Sequence, residues 1–207
     1  IVKVPSTPSD PSIGFTTAAL RVLREAGISP KDLTYVVHGT TVATNAIIEG
    51  NTARTAFVTT EGFSDMLEIA RQTRPSLYDL KFVKPRPLVP RYLCFGIPER
   101  MDASGSVVTP LDEAAVYEIA LALKSEGVES VAVCLLHSYS NADHEQRTGK
   151  ILKEVLAEVP VSLSTELAPE FREYFRASTT VVNACVMPVV NRYLKVIEDQ
   201  LRAEGVE

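Results

Sequence analysis

Two rhythms of hydrophobic and polar positions run along this chain. Short, largely apolar runs sit at Leu33–Val37 and Val131–Leu136, Arg54–Thr59 reads as a further strand, and Val161 with Leu163 marks another. Runs of that length, bounded by turn residues, read as buried strands. Between them apolar residues return every three or four positions, the spacing of a helix with one buried face. Phe15, Ala19, Val22, Leu23 and Ala26 form the first such stripe, opened by Asp10-Pro11 and stopped by Gly27. Val42, Ala46 and Ile47 form a second, ending near Gly50, and Met66, Leu67 and Ile69 a short third that Ser64 can cap. Val116, Ile119, Ala120 and Leu123 make a fourth, entered through Thr109-Pro110-Leu111-Asp112, which resembles a capping box with proline at the first position, and closed by Gly127. Thr148, Ile151, Leu152 and Val155 make a fifth. From Pro169 a helix is expected towards Ala184, interrupted by Pro188, with a last amphipathic helix carrying Val190, Tyr193, Leu194, Ile197 and Leu201. Strands alternating with helices imply an α/β fold with a largely parallel or mixed sheet and helices on both faces.

The rhythm breaks between Arg74 and Arg91. Pro75, Pro85, Pro87 and Pro90 exclude regular helix and central strand there. Leu77, Tyr78, Leu80, Phe82 and Val83 make the stretch too apolar for a solvated linker, so it is expected to lie on the body of the protein; a proline-rich partner ligand is the other reading. Beyond it, Leu93–Arg100 and Val107-Val108 read as a hairpin around Asp102–Gly105. The expected organisation is a partial lobe over 1–90, a smaller α/β unit over 91–165 and a helical segment over 166–207.

Composition narrows this little. The 207 residues are 45% hydrophobic and 23% charged, which suffices for an ordinary core. A net charge of −5 provides no general basic field for nucleic acid. Cys94, Cys134 and Cys185 are far apart and form no C-x-x-C pair, so they read as reduced, partly buried thiols of a cytoplasmic protein. No apolar stretch approaches the ~20 residues of a membrane span, and none reads as a signal peptide. The opening Ile1-Val2-Lys3-Val4-Pro5 reads as the end of a strand, so the sequence is expected to be a fragment.

Candidate chemistry gathers where apolar runs end. His38-Gly39-Thr40-Thr41 follows Leu33–Val37 and precedes a helix. Ligands in open α/β sheets sit beyond the carboxyl ends of strands, and N–H groups at a helix start attract anions. Glycine lets the backbone approach such a ligand. The alternative is that Thr40 or Thr41 is only an N-cap and His38 only a hydrogen-bonding partner. Val131–Leu136 likewise runs into His137-Ser138-Tyr139-Ser140-Asn141, where Asn141 reads as a cap. The two histidines would share a rim if both strands point the same way in one sheet, but no spacing nominates the third ligand a metal needs. Arg71-Gln72-Thr73-Arg74-Pro75 with Tyr78-Asp79 forms a third polar group; two arginines beside a tyrosine suit a carboxylate or phosphate, or simply anchor a solvated loop. Ser178-Thr179-Thr180 and Asn183 are unusual inside an apolar helix, and charges in Glu170-Phe171-Arg172-Glu173-Tyr174 read as a solvated face.

Four stretches, VVHGTTVATNAIIE, ARQTRPSLYDL, VAVCLLHSYSN and PEFREYFRASTTVVNA, together resemble the N-terminal region of the hydantoinase A/5-oxoprolinase family, which also takes in acetone and acetophenone carboxylase subunits. The resemblance implies half of an actin-like, ribonuclease-H-like ATPase with a mixed sheet, whose phosphate-loop strand would precede Ile1 and whose second catalytic region would follow Glu207. It implies an enzyme that uses ATP and Mg²⁺ to open a small cyclic amide such as a hydantoin or 5-oxoproline, a hydantoinase B-type partner and neither nucleic acid nor membrane as ligand. Its site residues for substrate or phosphate would be His38, Gly39, Thr40, Thr41, Asn45, Arg71, Arg74 and His137. Ketone carboxylation is the alternative reaction, and a non-catalytic subunit-docking domain the alternative class. Two positions depart from the expected pattern: Ala70 stands where glycine is expected, and Phe175 where an acidic residue is expected.

Overall fold

A computed structural model describes residues 1–7, 10–73, 78–79 and 81–206. The chain forms two compact units, one of residues 52–188 and one of residues 1–51 with 189–207.

The larger unit is built on a four-stranded sheet in the order β2-β1-β5-β6, from β1 (Thr55–Thr60), β2 (Cys94–Ile97), β5 (Ser130–Cys134) and β6 (Val161–Leu163). Every pairing is parallel, with Phe57 opposite both Cys94 and Ala132, and Ala132 opposite Ser162. Because side chains alternate across a strand, Thr55, Phe57, Thr59, Ala132, Cys134 and Ser162 share one face. The first half of α7 (Glu173–Ala203) covers it: Asn183 Nδ2 donates to Ser162 Oγ at 2.9 Å, and Arg176 Nε to Cys134 Sγ at 3.3 Å. The opposite face, with Val58, Val133 and Leu163, lies under α4 (Glu113–Ser125) and α5 (Asp143–Leu156), which pack on each other. At Gly149 of α5 an added Cβ would come within 2.8 Å of Leu163, so only glycine lets helix and strand approach this closely. Both faces are covered, which explains why β1 and β5 are buried at every position rather than at alternate ones. β1 ties the 1–90 stretch to strands from 91–165 in one sheet.

Several boundaries differ from the sequence reading. Cys94–Ile97 leaves the expected hairpin and pairs in parallel with β1. The hairpin is confined to β3 (Arg100–Met101) and β4 (Val107–Thr109), its turn held by the Asp102 carboxylate, which accepts from the N–H groups of Ser104 and Ser106. Thr109 ends β4, and Asp112 caps α4 by accepting from Ala115 N at 3.0 Å. In α3 (Met66–Ile69) the cap position is Asp65 rather than Ser64. β5 stops at Cys134 because Leu135 N donates to the Glu145 carboxylate and Leu136 N to Thr60 Oγ1, ending the ladder. Finally, α7 runs through Pro188. A proline removes one i to i−4 bond, and here apolar packing on either side of it, from Ala177, Val181 and Ala184 before and Ile197 and Leu201 after, holds the helix together.

The smaller unit contains α1 (Pro11–Ala26), α2 (Val42–Glu49) and the second half of α7. The expected ends of α1 are found: Asp10 accepts from Ser12 N at 3.0 Å, Pro11 opens the helix, and Gly27 closes it at φ 68°. Leu33–Val37 pairs with no strand among the described residues. It has no regular secondary structure and is exposed, with Tyr35 78% and Val37 84% accessible. Among the described residues no helix is long and apolar enough to cross a membrane.

Candidate functional site

In the smaller unit, His38 to Thr41 leads into α2 as expected, but from an irregular segment rather than from the end of a strand. His38 is half-buried. Its Nε2 lies 2.7 Å from Tyr193 Oη, and its ring packs against Phe15 with centroids 4.2 Å apart. One ring nitrogen is therefore already engaged by the protein. Thr41 occupies the cap position of α2 without a side-chain cap bond, while Thr40 Oγ1 accepts from Val42 N at 3.2 Å. Gly39, Thr40, Thr41 and Asn45 all face solvent, and nothing lies within 4 Å of where a Gly39 Cβ would sit. Hydroxyls and first-turn N–H groups are thus accessible to a ligand at this helix start.

The larger unit holds a denser constellation around the first turn of α7. His137 sits in the turn after β5 at φ 55°, where its carbonyl accepts from Ser140 N and Asn141 N. Its Nδ1 lies 3.3 Å from Tyr139 Oη and 3.8 Å from Glu173 Oε1. Asn141 works at two ends, accepting from Asp143 N at the start of α5 and donating to Gly105 O in the hairpin turn. Arg176 is fully buried; it donates to the carbonyls of Leu135 and Glu170 and stands over the Tyr139 ring at 5.2 Å. One turn of α7 therefore fixes both the His137 turn and the end of β5.

The same turn meets the arginine-bearing loop. Arg71 stands over the Phe175 ring, 5.3 Å from its centroid. Phe175 occupies the position where the resemblance suggests an acid, so the guanidinium here lies over a ring instead of beside a carboxylate. The neighbouring backbone is unusual: Ala70 has φ 51° and ψ −137°, and Gln72 has φ 53°. Non-glycine residues pay for such conformations, and they persist where surrounding structure over-determines them. A groove of about 760 Å³ opens beside this loop, lined by Leu67, Ile69, Arg71, Phe82, Lys84 and Arg86 among others, with Tyr174 of α7 as one wall. Arg74 lies outside the described residues.

Two buried polar groups had no place in the sequence reading. Glu145 accepts from Leu135 N, Ser138 Oγ, Ser164 Oγ and Thr165 N, with distances of 2.7–3.0 Å. Glu99 pairs with His144 at 2.8 Å and with the Thr60 hydroxyl, which in turn accepts from Leu136 N. Both lock the β5 end from beneath. The signal was present: Glu145 shares the stripe of Thr148, Gly149, Leu152 and Leu156, all buried, so it could not face water. The three cysteines are buried and free. Burial pushes the Cys94 and Cys134 thiols up to about 11, with Arg91 and Arg176 respectively pulling the other way. Such thiols are poor nucleophiles.

Residues 1–156 match the model of the hydantoinase/oxoprolinase N-terminal region. The alpha subunit of caprolactamase from Pseudomonas jessenii is 35% identical over 213 residues, covering 100% of this chain and 31% of that protein. The gamma subunit of acetophenone carboxylase from Aromatoleum aromaticum is 34% identical over 222 residues, covering 99% of this chain and 30% of that one. The crystal structure of the ATP-dependent caprolactamase from Pseudomonas jessenii superposes with a TM-score of 0.89 at 34% identity, over 99% of this chain and 30% of that chain. The chain thus spans about three tenths of the length of these relatives. It belongs to the hydantoinase/oxoprolinase family, as its N-terminal region.

Proposed function

We propose that this chain is the N-terminal portion of an ATP-dependent enzyme that opens a cyclic amide. The observation that carries this reading is the likeness, over 99% of the chain, to a structure described as an ATP-dependent caprolactamase. A lactam carbonyl is a weak electrophile with a poor leaving group. ATP, held with Mg²⁺ in the whole protein, would supply the missing leaving group by phosphorylating that oxygen. Among the described residues no group of three His, Cys, Asp or Glu stands close enough to hold a metal ion, so no step is assigned to a metal bound by this chain. The α2 start, with Thr40, Thr41 and Asn45 open to solvent beside Gly39, and the turn bearing His137 supply donors for an anion or a carbonyl. The actin-like ATPase arrangement, a cytoplasmic location and a hydantoinase B-type partner subunit belong to the same proposal. The partner is supported by relatives that are themselves named as subunits.

A second reading is ATP-dependent ketone carboxylation, favoured by the 34% identity to an acetophenone carboxylase subunit. The two separate in a coupled assay of ATP hydrolysis by the full-length protein with its partner. Stimulation by caprolactam, 5-oxoproline or hydantoin supports the first. Stimulation by acetone or acetophenone only when bicarbonate is present supports the second, and stimulation by neither set refutes both.

A further inference from the structure

We propose that His137 is a general base, held in its working tautomer by Glu173, that takes a proton from the atom beside the substrate carbonyl while the carbonyl oxygen is phosphorylated. The inference rests on the reading of the protein as an ATP-dependent enzyme acting on a carbonyl, and names a catalytic residue for it. The same kind of proton has to leave in both reactions considered above. When a lactam oxygen attacks the terminal phosphorus of ATP, an oxygen–phosphorus bond forms and the bond to ADP breaks, its electron pair leaving with ADP. The ring N–H proton passes to the base, and the pair it leaves behind forms C=N. A ketone loses a proton from the adjacent carbon instead, and that pair forms C=C. One base therefore serves a cyclic-amide enzyme and a ketone enzyme alike.

Three observations carry the assignment to His137. The first is position. In the sheet order β2-β1-β5-β6 the chain passes from β1 to one side and from β5 to the other, so the order reverses between these two strands. All four strands are parallel, and their carboxyl ends share one edge. A ligand crevice forms beyond the carboxyl ends at such a reversal. His137 lies three residues past the end of β5, and Thr60, the last residue of β1, accepts from Leu136 N beside it. The second is an orphaned acceptor. Glu173 Oε1 is buried without a hydrogen-bond partner, 3.8 Å from His137 Nδ1. A stranded carboxylate oxygen is destabilising, and a rotation of either side chain brings it to Nδ1–H. An ionised carboxylate only accepts, so it keeps the imidazole proton on Nδ1 and the Nε2 lone pair free. Nε2 makes no hydrogen bond with the described residues, and the side chain is 22% exposed. Tyr139 Oη, 3.3 Å from Nδ1, and Arg176 behind the Tyr139 ring complete the polar surroundings on that side. Once the proton has moved, the imidazolium stands beside the Glu173 carboxylate. The third is the backbone. A φ of 55° is uncommon for a residue other than glycine, and Ser140 N and Asn141 N, donating to the His137 carbonyl, hold it there. Strain of this kind gathers at working sites. His144, by contrast, is 3% exposed and bound to Glu99.

The test uses the full-length protein with its partner and whichever cyclic amide or ketone stimulates its ATP hydrolysis. Because φ is positive at this position, His137→Gly preserves the backbone and opens room for added imidazole. It is expected to lower kcat by about a hundredfold or more, with the KM for the carbonyl substrate and the thermal midpoint little changed, and added imidazole is expected to restore much of the loss. Glu173→Gln is expected to lower kcat by less, again without raising KM, and imidazole should not rescue it. A readout free of turnover is diethyl pyrocarbonate, which acylates an accessible, unprotonated imidazole nitrogen. Peptide mapping without ATP is expected to find His137 modified and His144 intact, with substrate slowing the reaction at His137. An unchanged kcat in His137→Gly, a loss that imidazole does not restore, a loss carried wholly by KM, or a His137 as unreactive as His144 would each overturn the assignment. A wild type stimulated by no cyclic amide or ketone defeats the enzyme reading and this assignment with it, whereas a stimulated wild type whose variants behave otherwise defeats the assignment alone.

Discussion

At the scale of single residues, the structure makes sense of positions that are opaque in the sequence. Ala70 stands where the family resemblance suggests glycine, and its φ of 51° with ψ −137° lies in a region glycine occupies freely and alanine does not. Strain of this kind costs about 1–3 kcal/mol, whereas glycine's extra freedom in the unfolded chain costs about 0.4–1 kcal/mol. Ala70→Gly is therefore expected to raise the denaturation midpoint, with a net gain of about 1 kcal/mol by the same two estimates; a loss of stability would show that the local geometry is not strained. The thiols give a pH dependence. With Cys94 and Cys134 raised by burial to about 11, the folded chain keeps protons that the unfolded chain releases from about pH 8.5 upward. Their contribution is complete below that range and is lost as pH rises through about 11. Urea midpoints should therefore fall between pH 8 and pH 10.5, and fall less in a Cys94→Ala/Cys134→Ala variant; parallel slopes in the two proteins would contradict it.

At the scale of elements, the short segment after β5 depends on carboxylates rising from α5 and from the loop before β3. Glu145 satisfies two backbone N–H groups and two hydroxyls inside the protein. Removing it strands buried donors at about 1–3 kcal/mol each, so Glu145→Ala is expected to destabilise by at least about 3 kcal/mol in a denaturant titration. Glu145→Gln, which keeps an acceptor, should cost clearly less, and equal costs would mean that solvent reaches the site. Legibility differed at this same scale for physical reasons. The caps of α1, the stripe of α2 and the run at β1 are local signals, and each element formed where those residues point. Cys94–Ile97 was misread because whether a run pairs with its sequence neighbour or with a strand more than thirty residues away is decided by the sheet, not by the run. Pro188 carries a strong local stop signal that burial on both sides of it overrides. In the candidate site, Arg71 and His137 announced themselves as polar breaks after apolar runs. Of the residues that stand beside them, Glu173 lies in a stretch that reads as solvated charge and Phe175 reads only as a departure from the family pattern, and only the fold brings them within reach.

At the scale of the whole molecule, the question is how much of an active centre one such chain can hold. It spans about three tenths of the relatives it matches. Its candidate groups are displayed on open surfaces: Gly39, Thr40, Thr41 and Asn45 are exposed at the start of α2, and Arg71, Lys84 and Arg86 line a groove with an open side. The stretch before His38 exposes Tyr35 and Val37 with no partner strand among the described residues, an apolar surface of the kind that proteins ordinarily cover. Phosphoryl transfer needs the reacting groups held in line and water kept out, which takes walls on more than one side. Supplied alone, the 207-residue chain is therefore expected to show no ATP hydrolysis stimulated by cyclic amides, and no ATP binding measurable by calorimetry, while the full-length protein with its partner shows both. A circular dichroism melt of the same preparation distinguishes a folded but incomplete chain from one that has not folded. Substrate-stimulated turnover by the isolated chain, abolished by Thr41→Ala with the melt unchanged, would show instead that a complete site lies within these residues and that the rim at the start of α2 is its phosphate cradle.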